Sequence, residues 1–582
     1  MKVSDHIANI ISKYSSVVFG GQGGSVVHLV DSISKNKNLQ FIPGQSEQAS
    51  SIAADAYYRA SGKIGVTLAT SGPGILNFLQ GMACSYFDSI PSLYIAGSPV
   101  RSSLRKNKKI RQIGFQEMEV QDLVKPITKY CSVILDPKNI TYEFEKAIRI
   151  AFSGRMGPVL IEIPDDISRI ELPKTQKKFY LKPERKKKDF KYNNVKNLLE
   201  NSSRPLFVIG MGVKLTKSYD LIRKFLKKNK IPYTCSWSAA DGFNSLDKYH
   251  AGLFGTCGTR HGNFIIQNAD LLIFLGVRLG PQLVGSNPKN FSPGSKKVLV
   301  EIDENEFTSQ KLPEIDIKIR EDVKFFLKNF TKRRLKLKNN DIKNWVKKIN
   351  VIKNNYPVLS KNNIKNKKFV DPYYFFYKAS NFFKKNSIVI PDASANLIWA
   401  FQAMNINKKL NIFSAFNHSP MGYSIAASVG AYFGDKNKEI YVFIGDGSVP
   451  MQVQELETIA NYKINTKIFV INNLGYGLVK QTQEVWLKSF YAGVDKKSGL
   501  SLPDNIKIAK SYGIKTISIK NNNDIVRIFK KIEKIKGPIL IDVKIDPKSR
   551  VKPKIEWGKP LNDMSPELSA DKINDINDFL KR

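Results

Sequence analysis

Along this chain, short apolar runs that stop at glycine-rich or acidic corners alternate with stretches of helical period. The pattern is plainest between Glu439 and Gly477. An apolar run, Tyr441 to Ile444, enters the corner Gly445-Asp446-Gly447-Ser448. A helical stretch with Leu456, Ile459 and Ala460 follows, and a second apolar run, Ile468 to Ile471, ends in Asn472-Asn473. This predicts a βαβ unit of a parallel sheet. Ligands gather at the carboxyl ends of such strands, where Asp446 and Asn473 both stand. A carboxylate, an amide oxygen and a diphosphate form the kind of shell a hard dication such as Mg²⁺ prefers. The glycines allow a tight turn, and the helix behind it presents its N-terminus to an anion.

The same alternation runs through the rest. In residues 1–170 a helix from Asp5 to Lys13 precedes a strand, Ser16 to Phe19, that enters Gly20-Gly21. A second strand, Leu39 to Ile42, ends before Gly44-Gln45-Ser46-Glu47, and an alanine-rich helix with Ala49, Ala53, Ala54 and Ala56 follows. The strand Ile64 to Ala69 enters Thr70-Ser71-Gly72-Pro73-Gly74, and an apolar strand closing at Pro164 ends the domain. Residues 193–330 repeat the pattern, with strands entering Gly210-Met211-Gly212, Gly276-Val277-Arg278 and Asp303; residues 369–550 repeat it again, with Asp392 to Asn396 as an early corner. The expected fold class is α/β, with three doubly wound parallel-sheet domains. Linkers are placed at 171–192 and 331–368, and a tail at 551–582 is placed to fold back over the site.

Charge first points elsewhere. The 582 residues carry 92 Lys plus Arg against 51 Asp plus Glu, a formal +41 that would ordinarily imply a polyanionic partner. The lysines are scattered among Asn and Ile, and the two basic clusters, Arg185 to Lys188 and Lys332 to Lys338, fall in the linkers. Solvated connectors account for them, so no nucleic acid is expected. Cys84, Cys131, Cys235 and Cys257 lack any metal-ligand or paired spacing and read as reduced thiols. The N-terminus is too polar for a signal peptide, and no apolar run approaches a membrane span. A cytoplasmic protein without a membrane partner is expected.

The spaced string from Gly445-Asp446-Gly447-Ser448 to Asn472-Asn473 resembles the thiamine diphosphate motif. With FGG, SEQAS, YYRASGK, TSGPG and DSIPSLYIAG, the chain is similar to acetolactate synthase large subunits from Val3 to about Met564. Its C-terminal third is closer to the acetolactate synthase-like proteins of bacterial surface-polysaccharide clusters. The resemblance implies a pyrimidine-binding first domain, a central domain for FAD or an ADP-type ligand, and a third domain for the diphosphate and Mg²⁺. It assigns Glu47 as the catalytic acid that bonds the cofactor's aminopyrimidine and steers proton removal from C2. It assigns Asp446, Asn473 and the Gly475 carbonyl to the metal. Gly21, Ser394, Asn396, Ser419, Met421, Gly445, Gly447, Ser448 and Gly475 fall to the cofactor, with Met421 as the wedge beneath it. Gly210, Gly212 and Arg278 fall to FAD, and Phe115, Gln116 and Thr482 to the substrate.

The implied reaction decarboxylates a 2-oxo acid, pyruvate foremost, and transfers the acyl unit to an acceptor carbonyl. A simple 2-oxo acid decarboxylase is the alternative. Family members build one site from two subunits, so a homodimer or homotetramer is implied. The chain departs from the family where Asp165 replaces a lysine, Leu279-Gly280-Pro281-Gln282 replaces Phe-Asp-Asp-Arg, Ala395-Asn396 replaces Gln-His and Thr482 replaces a tryptophan. These changes leave the acceptor open among a second oxo acid, an aldehyde and a keto sugar.

Overall fold

The computed structural model describes residues 1–180, 191–365, 368–407 and 409–582. They form three six-stranded parallel sheets flanked by helices. Numbered within each sheet, the strands of the first and third run 2-1-3-4-6-5, and those of the central one 3-2-1-4-5-6. In each order the winding reverses beside strand 1, and the loops at that reversal leave a crevice at the carboxyl edge. The first crevice lies between Val17–Gly20 and Gly65–Ala69, the second between Pro205–Ile209 and Leu271–Leu275, the third between Ile388–Pro391 and Ile440–Gly445. The corners Gly20-Gly21, Gly210-Met211-Gly212 and Gly445-Asp446-Gly447 therefore stand where sheet topology puts ligands. The inner strands of each sheet are largely apolar and buried because helices cover both faces.

The first and third domains share one core. Helix Glu47–Ser61 lies against helix Tyr423–Gly434, and small residues let the backbones touch: a Cβ on Gly430 would stand 1.9 Å from the Ala53 carbonyl oxygen. A buried charge cluster sits at the same junction. Arg59 pairs with Asp55 (2.7 Å) and Asp88 (2.9 Å) and donates to the Ser414 carbonyl, while the Tyr423 hydroxyl donates to Asp55 at 2.6 Å. Each buried charge thus has its partner, which burial requires.

Two expectations change. The 331–368 connector contains helix Asn339–Asn355, whose Ile342, Trp345, Ile349 and Ile352 are buried in the central domain; its lysines occupy the outer face of an amphipathic helix. The tail packs on the same domain through Leu561, Met564, Ile576 and Leu580 rather than folding over the site, since the central sheet offers it an apolar face. The cluster Arg185 to Lys188 lies outside the described residues. No described helix is long and apolar enough to cross a membrane.

Candidate active site

Three oxygens converge at the carboxyl edge of the third sheet. The Asn473 side-chain oxygen stands 3.2 Å from Asp446 Oδ1 and 2.9 Å from the Gly475 carbonyl oxygen, with no donor between them. With its nitrogen turned inward the amide donates to both neighbours; with its oxygen inward the three oxygens would form the face a cation requires. Separations near 3 Å match the edge of an octahedron with ligands at about 2.1 Å, the geometry of Mg²⁺. Among the described residues no group of three His, Cys, Asp or Glu side chains is placed to hold a metal, and a cation here would have one carboxylate, one amide and one carbonyl around it. Asp446 is held by the N–H groups of Gly447 (3.0 Å) and Gly475 (3.1 Å), and burial pushes its carboxyl up to about 7. A dication beside it would keep it ionised.

The neighbouring corner supplies an anion cradle. Helix Ala395–Ala403 begins after Ser394 with no side-chain cap among the described residues, so its first N–H groups face the crevice. A Cβ on Gly445 would stand 3.8 Å from both Asn396 Nδ2 and Ser448 Oγ, which places those side chains around one space. The Asn396 side chain has one hydrogen bond among the described residues. Its Nδ2 donates to the Ala393 carbonyl at 2.7 Å, leaving a buried Oδ1 with no partner among the described residues. That orphan is an acceptor, suited to a hydroxyl or a metal-bound water rather than to a phosphate oxygen.

The loop with Ser419 and Met421 is pinned at both ends by buried carboxylates. Asp88 of the first domain accepts from the N–H groups of Phe416 (2.8 Å) and Asn417 (3.1 Å); Asp392 accepts from Gly422 (3.1 Å) and Ser424 (2.9 Å). His418, inside this loop, stacks on Phe87 at 5.7 Å.

Glu47 opens helix Glu47–Ser61, which Ser46 caps by accepting from the Ala49 N–H at 3.1 Å. Its half-buried carboxylate receives Asn77 Nδ2 at 3.0 Å and lies between two glycines: a Cβ on Gly21 would stand 3.0 Å, and one on Gly74 3.5 Å, from its Oε1. Gln116 rests on the same Thr70-to-Gly74 corner, with Ser71 Oγ donating to its Oε1 at 3.4 Å. Phe115 beside it is 84% exposed. Thr482 lies on helix Gly477–Trp486 and donates to its own Leu478 carbonyl at 3.1 Å. The structure thus brings Gly21, Glu47 and Gln116 together in the first domain, and Asp446, Asn473, Gly475, Asn396, Gly445 and Ser448 in the third. Motif spacing missed Asn77, Asp88, Asp392 and Glu455. Only Asp392, at a strand-end corner, and Asn77, one turn into the helix after TSGPG, gave a local signal.

The central crevice opens into a cavity of about 410 Å³ walled by Phe152, Met211, Trp237 and Phe416. Gly212 and Gly276 lie in its wall. The N–H groups of Gly210 and Gly212 already donate to the Leu275 and Gly276 carbonyls, and a Cβ on Gly210 would stand 2.1 Å from the Gly276 oxygen. The two turns pack on each other and offer no diphosphate cradle from these N–H groups. Arg278 faces Glu306 at 3.6 Å, and Arg155, a first-domain residue that spacing did not single out, shares that carboxylate at 2.5 Å. The cavity suits a nucleotide-sized molecule; two of its cations, Arg155 and Arg278, share Glu306, and Lys324 lines it as well.

Comparison with known proteins agrees with this layout. Residues 1–123 match the thiamine pyrophosphate enzyme N-terminal TPP binding domain, 192–330 the central domain, and 392–543 the C-terminal TPP binding domain. The chain is 30% identical over 566 residues to the acetolactate synthase large subunit of Cyanidium caldarium, covering 94% of this chain and 93% of the relative. Its likeness to the large subunit of Porphyra purpurea is 30% over 553 residues (93% and 91%), and to that of Lactococcus lactis 28% over 554 residues (94% and 93%). With the thiamine-binding domains in order and similarity running almost end to end, this chain belongs to the thiamine-diphosphate-dependent enzymes of the acetolactate synthase large-subunit type.

Proposed function

We propose that this enzyme is a Mg²⁺-dependent carboligase that decarboxylates a 2-oxo acid, pyruvate foremost, and joins the acyl unit to an acceptor carbonyl. The observation that carries the reading is the convergence of the Asp446 carboxylate, the Asn473 amide and the Gly475 carbonyl beside an uncapped helix N-terminus. Thiamine diphosphate, when bound, supplies a nucleophilic C2 and the electron sink for loss of carbon dioxide. The protein does the rest. Asp446, Asn473 and Gly475 hold the cation, the Ala395 helix start and Ser448 receive the diphosphate, and the Ser419 carbonyl offers an acceptor to the aminopyrimidine. Glu47 holds the proton that sets the tautomer of that ring.

Glu47 takes its partners from the first domain and Asp446 from the third, and both half-sites have exposed apolar rims. Phe115 and Ile113 form one; Leu474, Trp486 and Phe490 form the other. A second copy laid across them would cover both and exclude water, which supports a homodimer or a pair of dimers. The four free cysteines suit a reducing compartment, and we place the enzyme in the cytoplasm.

The deciding experiment incubates the protein with thiamine diphosphate, Mg²⁺ and pyruvate, with and without added aldehydes and keto sugars. Acetolactate or a crossed product, identified by mass spectrometry, supports the reading. Acetaldehyde alone makes the enzyme a decarboxylase, and no carbon dioxide release with any acceptor overturns the proposal. Flavin absorbance of the purified protein reports separately on the central cavity.

A further inference from the structure

We infer that Glu455 is a positioning residue for Glu47: a buried carboxylate of the third domain holds the turn on which the first domain's catalytic glutamate stands. The inference rests on the role proposed for Glu47. Glu455 opens helix Glu455–Asn461 on the segment that leaves the Asp446 corner, and it is 1% exposed. Its Oε1 does not serve its own domain. It accepts from the N–H of Gln45 at 2.9 Å and of Ser46 at 3.2 Å, while Oε2 receives the Thr458 hydroxyl at 2.8 Å and so fixes the carboxylate plane. Gln454 adds a second tie, its Nε2 donating to Ser46 Oγ at 3.4 Å.

The geometry gives this contact a purpose. Glu47 directly follows the two held residues, and the bond from Asn77 leaves its direction to the backbone beneath it. Were the turn loose, the Ser46 cap and the first turn of helix Glu47–Ser61 would fray together. Burial pushes the Glu455 carboxyl up from the ordinary glutamate value, against the hydrogen bonds from Thr458, Gln45 and Ser46. The third domain receives the converse support: first-domain Asp88 holds Phe416 and Asn417, just before Ser419 and Met421. Each domain's catalytic loop is braced by a carboxylate from the other domain of the same chain.

The test uses the full-length protein with Glu455→Ala, Glu455→Gln and Glu47→Gln. Amide hydrogen exchange in the cofactor-free protein reads the brace directly, because Gln45 and Ser46 are the donors. Glu455→Ala should speed exchange there and lower kcat about 30- to 100-fold, as expected for a catalytic group about 1 Å out of place. Thiamine diphosphate affinity should change by less than about threefold. Glu455→Gln keeps the acceptor and should restore both readings.

Unchanged exchange or unchanged kcat in Glu455→Ala overturns the inference. So does a Gln variant as poor as the Ala variant, or an Ala variant in which cofactor affinity and thermal midpoint fall along with kcat. If Glu47→Gln itself turns over normally, the assigned role of Glu47 fails, and the exchange result still judges the brace on its own.

Discussion

Gln116, Ser394, Ser419 and Leu474 have left-handed backbone, with φ of 62°, 70°, 50° and 60°, and all four lie in segments that carry candidate site residues. Such conformations cost about 1–3 kcal/mol each in non-glycine residues and persist where surrounding structure over-determines them. Ser394, with ψ of −147°, occupies a region otherwise left to glycine. Ser394→Gly should therefore stabilise the cofactor-free protein by about 1 kcal/mol in urea unfolding, whereas Ser394→Ala should not. Glu47→Gln keeps the shape and hydrogen-bonding reach of the side chain but cannot relay a proton. Turnover should fall by at least about a thousandfold while thiamine diphosphate still binds, as measured by calorimetry.

Glu162 gives the pH dependence. Burial, reinforced by the like charges of Glu119 and Glu117, pushes its carboxyl up to about 7. A carboxyl raised on folding adds stability that is full below the unfolded value and is lost as pH rises through the folded one. Glu162→Gln should thus gain stability relative to the parent between about pH 5 and pH 8, by up to about 3 kcal/mol. Equal denaturation midpoints for the two proteins at both pH values would contradict this.

At the scale of elements, the crossing of helices Glu47–Ser61 and Tyr423–Gly434 is the least forgiving contact. A methyl on Gly430 meets the Ala53 backbone, which cannot rotate away. Gly430→Ala should lower the thermal midpoint markedly, equivalent to about 3 kcal/mol, while Gly280→Ala, with open space around it, should leave the midpoint where it was.

Legibility in the sequence followed the same division between local and distant contacts. Asp446 and Asn473 were readable because each sits at the end of a strand whose apolar run announces it, whereas Glu47, at a helix start, was assigned only through the resemblance of its flanking motifs. Glu455 was not, since its partners Gln45 and Ser46 lie 410 and 409 residues away along the chain. The glycines of the central domain were readable as turns but not as to what they face, because a turn packed on a turn and a turn packed on a phosphate need the same residue. The basic connector hid its four core residues, because lysines on the outer face of helix Asn339–Asn355 dominate the composition.

At the scale of the molecule, the proposed construction of each site from two chains makes subunit exchange informative. Glu47→Gln and Asn473→Ala should each be inactive alone. Mixed under conditions that let subunits exchange, they should recover about a quarter of the parent activity, because half of the dimers then contain one site with both residues intact. No recovery would place both half-sites of one cofactor in the same chain.

The matching strand orders of the first and third sheets carry a consequence for ancestry. Both helices of the tight crossing lie between the second and third strands of their own sheets, so the contact joins equivalent faces of equivalent units. Glu47 and the Ser419–Met421 loop then occupy corresponding places, as do the Thr70-to-Gly74 and Gly445-to-Ser448 corners. This is the architecture that duplication of one domain would leave, with the candidate acid standing in one copy and the candidate metal ligands in its twin.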